Sequence, residues 1–388
     1  MHRRLIWLLL LPAVLRAQDP LAAPGFEYFY NLEYPEALAA FRAEAAQHPD
    51  SPDAQNHIAQ TILYREMFHS GALESELVSG SNPFLRREGL SPSKADEQEF
   101  SDAIQRAMTL AEARLKNNPN DVPALYSQGV SYGLQANYHF LVHKAYVDAL
   151  RDATASRKAH ARVTELDPSV VDARLVQGIY DYVLGSLSKT WRVLGFFGGF
   201  RGDRERGIET VKLVARSGRF NRVDAEILLC AAYRRERRPK EAVPLLTGLI
   251  ERFPRNFILR LELVQMYGDL GEKDKALAVI RDVDQLKRNR TPGFDRLADE
   301  KLHYTRGNLL FWYNDLDGAL TDLKAVTANL TAVDLNTGVY AWLRMGQIYD
   351  LKKNREEAKK AYLQTVVVAP NSDASMEAQN YLLSRYKR

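Results

Sequence analysis

The sequence predicts an all-α protein, an α-solenoid of stacked helical hairpins wound into a right-handed superhelix. Three observations predict it. Small and aromatic residues recur at a fixed period in the C-terminal half, apolar residues elsewhere keep helical spacing, and strand-forming runs are nearly absent. Thr365 to Ala369 is β-branched, yet its register places it on the second helix of its hairpin. Of 388 residues, 46% are hydrophobic and 26% charged, enough apolar material for a large buried core. The single cysteine, Cys230, excludes an intrachain disulfide, a thiolate zinc cluster and a CxxC redox pair.

Residues 1–17 read as a processing segment. Arg3 and Arg4 precede an apolar run from Leu5 to Leu15, which is shorter than the roughly 20 residues a membrane span needs. Cleavage is expected after Ala17, which makes the protein exported, either periplasmic or associated with the outer membrane. Loss of Arg3, Arg4 and Arg16 takes 53 basic residues to 50 against 49 acidic ones. Such a balance lacks the electrostatic footprint of nucleic-acid binding.

Residues 18–120 should form degenerate hairpins. Ala37, Phe41 and Pro49 mark a second helix, and Ile58, Ala59 and Ile62 mark the first helix of the next unit. Within this region 71–97 is rich in Gly, Ser and Pro and is expected to be a long loop. Residues 121–222 continue the pattern: Leu125, Gly129 and Tyr132 follow Pro119, and Gly178, Tyr180 and Tyr182 follow Pro168. An aromatic and glycine-rich insertion at 191–202 interrupts them.

Residues 223–388 carry the clearest repeat. Trp342, Gly346, Tyr349, Ala358, Tyr362 and Pro370 have successive spacings of 4, 3, 9, 4 and 8. Ala242, Leu246 and Leu249 recur 34 residues later as Ala276, Ile280 and Val283, while Gly307, Leu310, Ala319, Leu323 and Val326 form a further unit displaced by the insertion 288–295. This arrangement resembles the tetratricopeptide repeat, with small residues admitting close helix approach and proline ending the second helix. Roughly seven hairpins are expected, closed by a capping helix at 376–386. Cys230 stands where such a hairpin packs a small residue and is read as a packing group.

The stretch Gly178-Ile179-Tyr180, Leu184-Gly185-Ser186-Leu187 and Leu194-Gly195-Phe196, followed by Gly202-Asp203-Arg204-Glu205-Arg206-Gly207, resembles the family named for tetratricopeptide repeat protein 39 and fungal inclusion-body clearance. The resemblance implies a repeat adaptor without catalytic residues, here as an exported bacterial relative.

Chemistry is sparse along the chain. His139 and His143 lie four apart, without the glutamate of an HExxH pair. No GxSxG elbow or phosphate-binding loop occurs, and Asp203 with Glu205 reads as an N-cap and first-turn acid. No catalytic residue, metal ligand or cofactor is therefore assigned. The first helices of the hairpins should line a concave groove, presenting Asn56, Gln60, Tyr64, Tyr126, Tyr182, Arg234, Tyr304, Asn308, Trp312, Gln347 and Asp350. Amides beside aromatic faces suit an extended peptide or protein partner. A second reading assigns Trp191, Phe196, Phe197 and Phe200 to an apolar ligand or a peripheral membrane contact. Neither reading names the partner or the oligomeric state.

Overall fold

The computed structural model describes residues 19–73, 89–186 and 202–388. The expected processing segment, the core of the 71–97 loop and the aromatic insertion lie outside these residues. So do Trp191, Phe196, Phe197 and Phe200.

Seventeen α-helices and no strands occur among the described residues. In the first half they are α1 (Pro24–Tyr30), α2 (Tyr34–Gln47), α3 (Pro52–His69), α4 (Lys94–Asn117), α5 (Val122–Tyr138), α6 (Tyr146–Leu166), α7 (Arg174–Gly185) and α8 (Arg204–Ser217). The second half continues with α9 (Arg222–Arg235), α10 (Pro239–Arg252), α11 (Phe257–Asp269), α12 (Lys273–Arg288), α13 (Asp299–Trp312), α14 (Leu316–Ala328), α15 (Leu335–Leu351), α16 (Arg355–Val368) and α17 (Asp373–Leu383). Successive helices pair as eight hairpins, with α17 left over as the cap. The count exceeds the expected seven because the short α1 completes a hairpin with α2. The cap starts at Asp373 rather than residue 376, where Ser372 accepts from the Ser375 N–H. The 71–97 loop ends sooner than expected: Ser93 caps the Asp96 N–H, and the chain is helical from Lys94.

One turn joins the two helices directly in five hairpins. Leu32, Arg237, Gly271, Asn314 and Lys353 all have positive φ, and the next N–H in each case returns to a carbonyl in the last turn of the first helix. The bonds Glu33 to Tyr28, Arg238 to Tyr233, Glu272 to Tyr267, Asp315 to Leu310 and Asn354 to Tyr349 span 2.7–2.9 Å. This is the Schellman ending, which satisfies carbonyls left open at a helix C-terminus. Only Gly271 takes the left-handed conformation without a side-chain penalty; the other four tolerate it because both flanking helices are packed.

Within the hairpins the expected small-residue contacts hold. A Cβ on Gly346 would enter the ring of Tyr362, and Ala358 beside it is fully buried. Gly307 lies against Leu323 and Asp322, with Ala319 fully buried. Thr365 to Val368 lies on α16 as its register required, and Cys230 is buried with its thiol pushed up by burial. First helices also touch the first helices of neighbouring hairpins, α3 on α5, α11 on α13, α13 on α15 and α15 on α17. Closer packing on that side bends the stack and makes the first helices its inner wall.

The stack is not the open ribbon that the repeats alone suggest. Its N-terminal end folds back onto the starts of α9, α11 and α13. Arg255 donates to both Glu33 oxygens at 2.9 Å and to Glu27 at 3.2 Å, while its backbone N–H donates to Asn31 at 2.9 Å. Asn256, which caps α11, also donates to the Tyr30 carbonyl at 2.8 Å, and Arg296 donates to the Leu32 carbonyl at 3.0 Å. Tyr30 and Phe253 pack with their rings tilted by 40° and centroids 5.0 Å apart. The insertion 288–295 serves this contact: Gly293, at φ +89°, brings its backbone against Arg255. One apolar core thus runs from Phe29 to Leu302.

Candidate functional site

The residues expected to line one groove separate into three places. Asn56 is buried between α3 and α5, where it donates to the Ser127 carbonyl at 2.9 Å and accepts from Ser131 at 2.7 Å. It ties two hairpins together and has no free face for a peptide. Gln60 and Tyr64 are half-buried on α3, and Tyr126 on α5 accepts from Asn221 at 2.8 Å. Further along, Tyr182 donates to Glu236 at 3.2 Å, and burial ahead of that carboxylate's charge pushes its phenol up to about 12. Arg234 pairs with Glu262 at 3.1 Å, beside the buried Tyr304.

The third place is the inner wall formed by α13, α15 and α17. Trp312 ends α13 with 55% of its surface exposed. Arg344, one turn from Gln347 on α15, lies over its indole with the guanidinium 4.8 Å from the ring centroid. The guanidinium is held in place: Nε donates to Asn308 at 3.1 Å and Nη1 to Gln347 at 2.7 Å. Asn308 and Gln347 are buried, so their role is to aim Arg344 rather than to meet a partner. Among the described residues Nη2 of Arg344 has no hydrogen-bond partner. Glu377 faces it from α17, its carboxyl raised by burial while the nearby Arg344 pulls the other way. Met376 is exposed on the same helix.

Asp350 also departs from expectation. It accepts from Arg355 at 3.0 Å, from the Tyr362 hydroxyl at 3.0 Å and from the Tyr386 N–H at 3.0 Å. These bonds make it a buried anchor between α15, α16 and the C-terminal tail. Of the eleven expected residues, Trp312 alone is openly exposed. Arg344 and Glu377 escaped the sequence reading, although the i, i+3 spacing of Arg344 to Gln347 already puts the two on one helix face.

The histidine pair lies on a π-helical turn, His139–His143, with rings 5.6 Å apart. Each finds a separate carboxylate, Asp152 for His139 at 3.0 Å and Glu97 for His143 at 3.1 Å. No group of three or more His, Cys, Asp or Glu side chains suited to a metal occurs among the described residues. A cleft of about 520 Å³ at the insertion 288–295 is lined by Lys287, Arg288 and Arg306. These pair with Asp299, Asp284 and Asp322. Its charge is cancelled internally. Among the described residues no helix is long and apolar enough to cross a membrane.

Comparison with known proteins fits this architecture. Tetratricopeptide repeat family models match residues 230–289 and 339–371, so the chain carries tetratricopeptide repeats there. No curated protein matches it in sequence. The crystal structure of the APC/C hetero-tetramer Cut9–Hcn1 is similar with a TM-score of 0.53 at 11% identity, covering 96% of this chain. This chain spans 57% of that one. Yeast Tom70 matches with a TM-score of 0.43 at 12% identity, covering 95% of this chain and 89% of its own. The Cut9–Hcn1 likeness supports the helical-repeat fold alone.

Proposed function

We propose that this tetratricopeptide-containing protein is an exported, non-catalytic scaffold of the cell envelope that holds an extended segment of a protein partner. The segment lies against the inner wall of α13, α15 and α17. One observation carries the reading: an exposed indole, Trp312, sits beside a guanidinium that two buried amides aim outward. A peptide carboxylate fits the remaining Nη2 of Arg344, and an apolar side chain next to it covers the indole. Glu377, without an ion pair among the described residues, is placed to accept a backbone N–H of the segment. Interaction through first-helix walls is the habit of such repeats, and the apolar run before Ala17 supports an envelope location.

Capture from cell-envelope extract with the full chain tests this. The double variant Trp312→Ala, Arg344→Ala should lose the specific partners while keeping its helical circular dichroism. An unchanged capture profile would remove the wall from consideration.

A further inference from the structure

The cleft between α12 and α13 shares no residue with Trp312, Arg344 or Glu377, and the repeat does not require it. These two helices are joined by ten residues, 289–298, where α10 and α11 are joined by four, 253–256. Phe294 and Leu297 of the longer connection are buried in the core that includes the N-terminal hairpin, and Arg296 donates to the Leu32 carbonyl. The connection is thus drawn toward that hairpin instead of closing α12 onto α13. A space of about 520 Å³ is left, within the range of small-ligand sites. Counting back the 34-residue period, Asp284, Lys287 and Arg288 stand where the preceding hairpin has Ile250, Phe253 and Pro254. Charge has replaced apolar packing. Positions that break the rule of their own repeat without a packing gain point to function rather than to fold.

The three cations lining the cleft differ in what they offer. Arg306 donates to Asp322 of α14 through Nε at 2.7 Å and through Nη2, and His303 Nδ1 lies 2.8 Å from the same carboxylate. That carboxylate is 5% exposed and the guanidinium 42%, so the cleft meets the cation. Lys287 shows the reverse: its side chain is 20% exposed, while its partner Asp299 is 73% exposed. An ion pair whose acid lies in water contributes little and is readily exchanged. Asp299 can therefore turn outward and leave Lys287 to a ligand. Arg288 pairs with Asp284 through Nε and Nη2. Both arginines spend their side-on fork in this way, and Nη1 of each has no hydrogen-bond partner among the described residues. A planar carboxylate is best met by such a fork. Single donors converging from two walls suit the divergent oxygens of a tetrahedral anion instead.

We propose that this cleft binds a small soluble anion bearing phosphate groups, held by Lys287 Nζ and by Nη1 of Arg288 and Arg306, with the Asp299 carboxylate displaced into water. Asp299 is then a built-in competitor for the ligand. The proposal goes beyond the scaffold reading and does not rest on it, so either can fail alone.

Calorimetric titration of the full chain at neutral pH and fixed ionic strength, with inorganic pyrophosphate and with citrate, tests it. Saturable binding of pyrophosphate is expected, with citrate weaker by about tenfold or more. Lys287→Met should weaken pyrophosphate by a similar factor. Asp299→Asn should tighten it severalfold, because the competitor is gone, whereas Asp317→Asn makes the same charge change outside the cleft and should leave it unaltered. No saturable binding by the unaltered chain would overturn the site without recourse to any variant, and so would unchanged affinity in Lys287→Met. Equal tightening by Asp299→Asn and Asp317→Asn would reduce the effect to net charge and overturn the displacement. Citrate binding as tightly as pyrophosphate would overturn the assignment to phosphate.

Discussion

At Gly346 a single hydrogen separates α15 from the ring of Tyr362, whose hydroxyl is held in turn by Asp350. Gly346→Ala gains about 1 kcal/mol of helix propensity and forces a buried ring out of place. A net loss of roughly 1–3 kcal/mol is expected, read as a lower urea midpoint with unchanged slope; an unchanged midpoint would mean that the helices are less closely set. Asp224 behaves differently. Burial pushes its folded carboxyl up to about 6 from the ordinary aspartate value of 3.8, so the folded chain holds the proton more tightly between those values. Stability should therefore fall as pH rises from about 4 to about 6 and stay lower above. Asp224→Asn removes that loss, and the variant should gain roughly 1–2 kcal/mol over the unaltered chain near pH 8 and nothing near pH 4. Equal differences at both pH values would contradict the enclosure of this carboxylate. Gly346 was legible in the sequence because its spacing to Tyr349, Ala358 and Tyr362 repeats. Asp224 was not, because an acid in a helix's first turn normally reads as a partner for the helix dipole.

Among the elements, the hairpins with intact small-residue pairs were readable from sequence, and the two ends of the array were less so. α1 has only seven residues and no glycine signature within it beyond Gly25, so nothing periodic announced it as the first helix of a hairpin. Its recurring Schellman turn at Leu32, shared with Arg237, Gly271, Asn314 and Lys353, identifies it structurally. The expected groove residues were misplaced for a related reason. Counting from the packing glycine locates a helix face, but Asn56 and Asn308 are spent on bonds between neighbouring first helices, Gln347 on Arg344 of its own helix, and Asp350 on α16 and the C-terminal tail. At the other end α17 covers Ala358 and Tyr362, and Arg355 donates to the carbonyls of Tyr381 and Leu382 at 2.8 Å. Ending the chain after Ser372 exposes that apolar face and leaves Arg355 with Asp350 alone as its acceptor. The melting temperature should drop by roughly 5 °C or more, with α15 and α16 losing hydrogen-exchange protection first. A truncated chain that melts like the full one would show that α17 is no cap.

On the scale of the whole molecule, the fold differs from its repeats by one feature, the return of the N-terminal hairpin onto the starts of α9, α11 and α13. Repeats encode contacts between neighbours, whereas Glu33 and Arg255 are separated by 222 residues and share no period. Such a contact leaves no mark in a sequence read for spacing, so the superhelix expected from the repeats carried no sign of it. Closure joins α1 to the continuous core and brings the Tyr30 hydroxyl onto Asp224, while the α13, α15 and α17 wall lies further along the stack. Hydrogen exchange of α1 in the full chain tests it most directly. A seven-residue helix has negligible stability by itself, so slow exchange of the Tyr28, Phe29 and Tyr30 amides is expected, lost in the double variant Arg255→Ala, Asn256→Ala. Exchange of those amides at the unprotected rate in the unaltered chain would contradict the closed architecture.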